Sequence, residues 1–191
     1  MHISNDRYFL ERERHDLALR MIRHEARTHT IRACTGLSDD RIRGLYRTYA
    51  SHAPESPVRR RRGKSPRCAA FFLRNVRTQY EASLLASTFA AFGLLDAAQA
   101  TPGTLQSARL FCDAYETHRQ LVRGADISFE HAWFLLQALT RRDALRYERC
   151  RRCETRYLRE APLALRRACP ACKLKGRPAR RSTQLTAPGK R

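Results

Sequence analysis

Long apolar runs are missing from this chain. Nowhere among its 191 residues do about eighteen consecutive apolar positions occur, so no membrane-spanning helix is expected. The first thirty residues contain Asp6, Glu11, Glu13, Asp16 and Glu25 among their arginines and no apolar stretch, so no secretory leader is expected there. Without an export signal the seven cysteines are expected to stay reduced in the cytoplasm, where paired cysteines more often hold metal than form disulfides. Catalytic signatures are absent too. There is no Walker loop, no H-E-x-x-H and no G-x-S-x-G, and the acidic residues form no metal-binding cluster, so neither an enzyme nor a small-molecule substrate is expected.

Acid itself is scarce: 18 Asp and Glu stand against 38 Lys and Arg, for a formal net charge of +20. Residues 68–140 are nearly neutral, with 5 basic against 6 acidic residues, whereas residues 141–191 carry 17 against 4. Charge of one sign repels itself and lowers the stability of the compact state, so a clustered surplus implies a polyanionic partner. Nucleic acid fits better than a membrane surface, because no segment joins a basic face to an unclaimed apolar stripe.

The periodic stretches read as helix. Leu19, Ile22 and Ala26 share a face of a helix expected over about residues 16–28, followed by a short piece to Cys34. Thr35-Gly36-Leu37 breaks it, and Ser38, Asp39 and Asp40 provide a cap and an acidic first turn for a helix to about Tyr49, with Ile42, Leu45 and Tyr49 inward. A helix, a short glycine turn and a capped helix with Arg41, Arg43 and Arg47 on its outer side resemble a DNA-binding helix-turn-helix. Many all-helical proteins hold the same pattern without binding DNA. Residues 51–67, with Pro54, Pro57, Gly63 and Pro66, form a linker whose run Arg59, Arg60, Arg61, Arg62 and Lys64 is expected to extend from that helix as a phosphate-binding arm.

From Ala69 the apolar positions Phe72, Val76, Tyr80, Leu84, Leu85, Phe89 and Phe92 predict the longest helix of the protein, with Phe72, Tyr80, Phe89 and Trp133 in the core. Thr101-Pro102 is expected to open the next helix, with Leu105, Ala108, Cys112 and Tyr115 inward. Ser128 caps a third that carries Phe129, Ala132, Trp133, Leu136 and Leu139. These three should form an antiparallel bundle.

Past Arg141 the periodicity stops, histidine is absent, and apolar residues thin to Tyr157, Leu158, Leu163 and Leu165. Cys150-x-x-Cys153 and Cys169-x-x-Cys172, fifteen residues apart, have the spacing of a four-cysteine zinc site. Two such knuckles supply four thiolates to one tetrahedral Zn2+, and four protein ligands leave no position for water, so the ion is structural. Its binding, about 10–16 kcal/mol in small zinc modules, would hold a segment too poor in apolar residues to fold alone. Arg149, Arg151, Arg152 and Lys173 would offset the thiolate charge. An iron-sulfur cluster could use four cysteines as well. Cys34, Cys68 and Cys112 read as buried or idle thiols.

The expected fold is mainly α: helix-turn-helix-like residues 1–50, a basic linker 51–67, a helical core 68–140, a zinc-binding module 141–177 and a basic disordered tail 178–191. In this arrangement ALRMIRHEARTHTIRACTGLSDDRIRGLYRTY, with Ala26-Arg27 and the Arg-Ile-x-x-Leu-Tyr pattern from Arg41 to Tyr46, resembles the N-terminal segment of the FlhC family of bacterial flagellar regulators. FFLRNVRTQYEASLLASTFAAFGLL resembles that family's central helix, and the cysteine pairs fall where the family places its zinc ligands. The likeness covers about residues 16–175, and the first and last fifteen residues have no counterpart in it. It implies a transcriptional activator, not an enzyme, that joins FlhD in a heterohexamer of four FlhD and two FlhC chains and binds double-stranded promoter DNA. The linker departs from the family, with arginines where aromatic and polar residues are expected. A reading from a different class is an RNA-binding zinc-ribbon protein of translation or RNA processing, which would need exposed aromatics to stack on bases.

Overall fold

A computed structural model describes residues 3–52, 58–96, 103–161 and 169–175. Expectations that rest on Pro54, Pro57, Thr101, Pro102, Leu163, Leu165 and the tail 178–191 lie outside the described residues. The described chain is mainly helical, with one two-stranded sheet.

Helix α1 (Ile3–Arg23) begins well before the expected residue 16 and stops before Thr28. Its inner side buries Leu17, Ala18, Met21 and Ile22. It ends because Glu25 takes a left-handed conformation at φ 57, letting Glu25 N bond Ile22 O (2.8 Å) and Ala26 N bond Met21 O (3.1 Å). These two bonds make a Schellman cap, with glutamate where glycine is usual. Ala26 therefore sits buried in the turn rather than on the helix, and its carbonyl accepts from the Tyr46 hydroxyl.

Helix α2 (Thr28–Thr35) ends at Gly36, whose φ of 71 lets its N–H close on Arg32 O. After buried Leu37 comes α3 (Asp39–His52), whose Ile42 and Tyr46 pack with Ile31 and Cys34 against the α1 residues. The helix–glycine turn–helix expected from sequence is thus present, braced by α1.

The stretch from Ala69 is not one helix. A 3-10 turn (Ala69–Leu73) precedes extended Asn75, whose Oδ1 accepts from Thr78 N at 2.7 Å and starts α4 (Val76–Ala91) afresh. At 16 residues α4 is shorter than the 21 of α1, contrary to the expected longest helix. The cap also resets the phase: Thr78, Glu81, Ala82, Leu85, Ala86 and Phe89 are buried, whereas Tyr80, expected in the core, is 43% exposed.

Helix α5 (Leu105–Leu121) starts after Thr104, whose hydroxyl accepts from Ser107 N at 3.1 Å. Ala108, Cys112 and Tyr115 face inward as expected. Helix α6 (Phe129–Arg141) is capped by Ser128 and buries Phe129, Ala132, Leu136 and Leu139, with Trp133 half-buried. Helix α4 packs on α5 and α6, and α1 and α2 pack on α5. The centre is aromatic: ring centroids of Phe111 lie 5.8 Å from Phe89 and 5.0 Å from Phe129. No helix among the described residues is long and apolar enough to cross a membrane.

Beyond α6 the chain forms a hairpin of β1 (Leu145–Arg149) and β2 (Arg156–Glu160), which no periodicity in the sequence announced. The strands are antiparallel, with Tyr147 opposite Leu158 and Arg149 opposite Arg156. Leu145 and Leu158 join the helical core. Two side chains of α4 tie down β2: Gln79 Nε2 donates to Leu158 O (2.8 Å), and Leu158 N donates to Ser83 Oγ (3.0 Å). A short helix α7 (Pro170–Leu174) packs on α4.

Candidate metal centre and nucleic-acid interface

The turn between β1 and β2 is a cysteine knuckle. Cys150 N donates to Thr155 O (2.9 Å), Glu154 N to Cys150 O (2.9 Å) and Thr155 N to Cys153 O (2.8 Å), with Glu154 left-handed at φ 59. Arg152 N points at Cys150 Sγ, 3.4 Å away. The second pair straddles the start of α7, and there Cys172 N donates to Cys169 Sγ at 3.3 Å. Backbone N–H groups aimed at sulfur stabilise thiolate over thiol.

All four Sγ atoms of Cys150, Cys153, Cys169 and Cys172 lie within 4.8 Å of one another. The Cys153 and Cys169 sulfurs are 3.4 Å apart. Zinc–sulfur bonds of about 2.3 Å in a tetrahedron need sulfurs roughly 3.8 Å apart, so the cluster fits an ion of that kind. Cys150, Cys169 and Cys172 are buried against Tyr157, and Cys153 is at the surface.

Electrostatics agrees with the geometry. Backbone N–H groups, that of Cys169 first, hold the Cys150 thiol down at about 6. Contact with the Cys153 sulfur, and then burial, pushes Cys172 up to about 12. Four adjacent thiols cannot all ionise without a cation among them. With one present, all four coordination positions come from protein, and the site is structural. The remaining cysteines stand apart: Cys34 and Cys112 are buried in α2 and α5, and Cys68 is exposed. Burial pushes the Cys112 thiol up to about 12 and Cys34 up as well, so both are inert.

Arg41, Arg43 and Arg47 are exposed on α3, as expected, but two are engaged. Arg41 pairs with Glu11 of α1 and Arg43 with Asp40, each at 2.8 Å. Hydrogen bonding to Arg41 in turn holds the Glu11 carboxyl below its ordinary value. Arg47 has no acidic partner among the described residues.

The run Arg59 to Lys64 does not extend from α3 as a free arm. It folds back on the α1–α2 junction, because buried and half-buried carboxylates wait there. Arg61 pairs with Glu25 at 2.7 Å, Arg60 lies over the Tyr46 ring at 5.8 Å, and Lys64 O accepts from Arg27 Nη1 at 2.5 Å. Ser65 Oγ then donates to Glu130 Oε2 at 2.9 Å. The side chains of Arg59, Arg62 and Lys64 remain exposed with no acidic partner among the described residues.

Sequence reasoning missed two groups. One is Glu130, nearly fully buried at the start of α6, which accepts from Arg27 N (2.8 Å), Thr30 Oγ1 (3.0 Å) and Ser65 Oγ, fastening α2 and the basic segment to the core. Only its acidity in a helix first turn was legible. The other is the arginine set on the hairpin, whose placement depends on a strand register that spacing alone does not give.

A family model described as flagellar transcriptional activator (FlhC) matches residues 4–185. The match reaches further at both ends than the likeness read from residues 16–175. No curated protein matches the chain.

Proposed function

Because the chain belongs to the FlhC family of flagellar transcriptional activators, we propose that it binds double-stranded promoter DNA in a cytoplasmic complex with FlhD and so switches on flagellar operons. The observation that carries this reading is the family match over residues 4–185, nearly the whole chain. That family consists of transcription regulators and not of enzymes. The family's assembly of four FlhD and two FlhC chains is the stoichiometry we adopt.

Cys150, Cys153, Cys169 and Cys172 hold one Zn2+ that stiffens the knuckle and α7. On α3, Arg47 enters a groove, and Arg41 and Arg43 join it by exchanging Glu11 and Asp40 for phosphate. An exposed ion pair is weak and screened by salt, so a dense polyanion competes with it effectively. Arg59, Arg60, Arg62 and Lys64 lie on backbone phosphates and position the duplex without reading bases. Arg61, the remaining member of the run, reaches a phosphate by leaving Glu25.

RNA recognition would need exposed aromatics to stack on bases, and the exposed rings Tyr8 and Phe9 lie on α1 rather than on α3, the linker or the hairpin. Tyr46 and Tyr157 are buried, and Tyr147 is half-buried beneath Arg156. Co-purification with FlhD, followed by a band shift on a flagellar promoter duplex, an unrelated duplex and single-stranded RNA, tests the reading. It predicts a complex that prefers the promoter. Equal or tighter binding to RNA overturns it.

A further inference from the structure

The hairpin carries like charges where sheet energetics disfavours them. Arg149 and Arg156 are directly opposite across the ladder, and both are exposed. Like charges in that relation destabilise a sheet. Neither has an acidic partner among the described residues, although Arg156 lies over the Tyr147 ring at 5.7 Å. Arg151 and Arg152, both exposed, follow in the knuckle and are equally without a carboxylate partner among the described residues. Arg159 shows the contrast, since Glu148 holds it at 2.7 Å.

The pleat separates Arg149 and Arg156 from the thiolates. Alternation places Leu145, Tyr147, Leu158, Arg149 and Arg156 on one face, and Tyr157, which packs on the cysteines, on the other. Neutralising the metal centre therefore does not explain these two cations. Their surroundings are also rigid: the base of the ribbon is locked into the core through Leu145 and Leu158, and its tip is the metal-binding turn. The guanidiniums of α3 and the linker, by comparison, are in good part occupied by Glu11, Asp40 and Glu25.

We infer that the tip of the hairpin, with Arg149, Arg151, Arg152 and Arg156, is a second duplex-binding surface of this chain, distinct from α3. A two-stranded ribbon fits the DNA major groove, and a preordered cluster of guanidiniums meets phosphates with little ordering cost. The inference rests on the DNA-binding reading above and adds a site to it. Duplex DNA supplies the anions that relieve the Arg149–Arg156 repulsion.

The test is salt-dependent binding of a promoter duplex to the complex with FlhD, comparing the parent with R149Q/R156Q and R149K/R156K at equal metal content. Taking two cations per copy off the phosphates should flatten the slope of log K against log salt by about 1.8 for each copy of this chain on the duplex, and lysine should retain it. The glutamine variant should also melt no lower than the parent, because a repulsion has gone. An unchanged slope and affinity in the glutamine variant overturn the inference while leaving DNA binding intact, and so does a lowered melting temperature with a normal slope. A parent complex that ignores duplex DNA overturns the DNA-binding reading and this site with it.

Discussion

The Glu130 carboxylate on α6 accepts a 2.8 Å hydrogen bond from the backbone nitrogen of Arg27, the residue that leads into α2. A group more than a hundred positions away thus caps the first helix of the helix–turn–helix, and the same carboxylate takes the hydroxyls of Thr30 and Ser65. Replacing Glu130 by alanine strands three donors in a buried place. The expected cost is about 3 kcal/mol, read as a lower urea midpoint at unchanged slope. A midpoint that stays put would show that the donors find other partners.

Acid should loosen the α1–α5 contact through Glu116. Arg20 donates to it from Nε (2.8 Å) and Nη2 (2.6 Å), and His24 Nε2 lies 2.7 Å away. Arg20 first, and His24 next, hold its carboxyl down at about 2, against an ordinary value of 4.5. Because the folded value is the lower one, the stabilisation is complete above about pH 5 and drains away as pH falls towards 2. Melting temperatures of the parent and E116Q should differ at pH 6 and converge near pH 2. A gap independent of pH contradicts the assignment.

The basic segment should divide by partner. Arg59 and Arg62 have no acidic partner among the described residues, whereas Arg61 is held by Glu25. R59A/R62A should weaken binding to every duplex alike and flatten the salt slope by about 0.9 for each phosphate no longer neutralised. R61A should act chiefly on the junction of α1 and α2, with a smaller change in slope. Equal slopes in the parent and R59A/R62A would remove the segment from the interface.

Metal removal should melt the tip of the hairpin and spare its base. The amides of Glu154 and Thr155 are held only within the knuckle, while that of Leu158 is bonded to Ser83 on α4 and buried. Hydrogen exchange after chelation, or in C150S, should accelerate at 154 and 155 and leave 158 protected. Uniform loss of protection from 145 to 160 would mean that the ion, and not α4, anchors the ribbon.

The parts legible in the sequence were those written in local spacing. Two C-x-x-C pairs announce a four-sulfur cluster, Ser128 and Gly36 announce helix ends, and the inward residues of α5 and α6 follow their period. What stayed hidden depends on distant partners. The break after Arg23 uses glutamate in place of glycine, and only Arg61 and Tyr46 show why it holds. Asn75 was a readable cap, but the four-residue repeat through Tyr80 masked it. The strands are five residues each and rich in arginine. Their pairing is sustained by Gln79 and Ser83 and by the knuckle, none of which periodicity reveals. Nor could composition tell that Arg41, Arg43 and Arg61 are already engaged.

The most direct test is a fluorescence-anisotropy titration of a flagellar promoter duplex with the FlhD complex, run on one preparation before chelation, after it, and after zinc is returned. The account predicts about one ion per copy of this chain, binding that weakens when the metal is removed and recovers when it is returned. A metal-free complex that grips the promoter as tightly as the loaded one would contradict it.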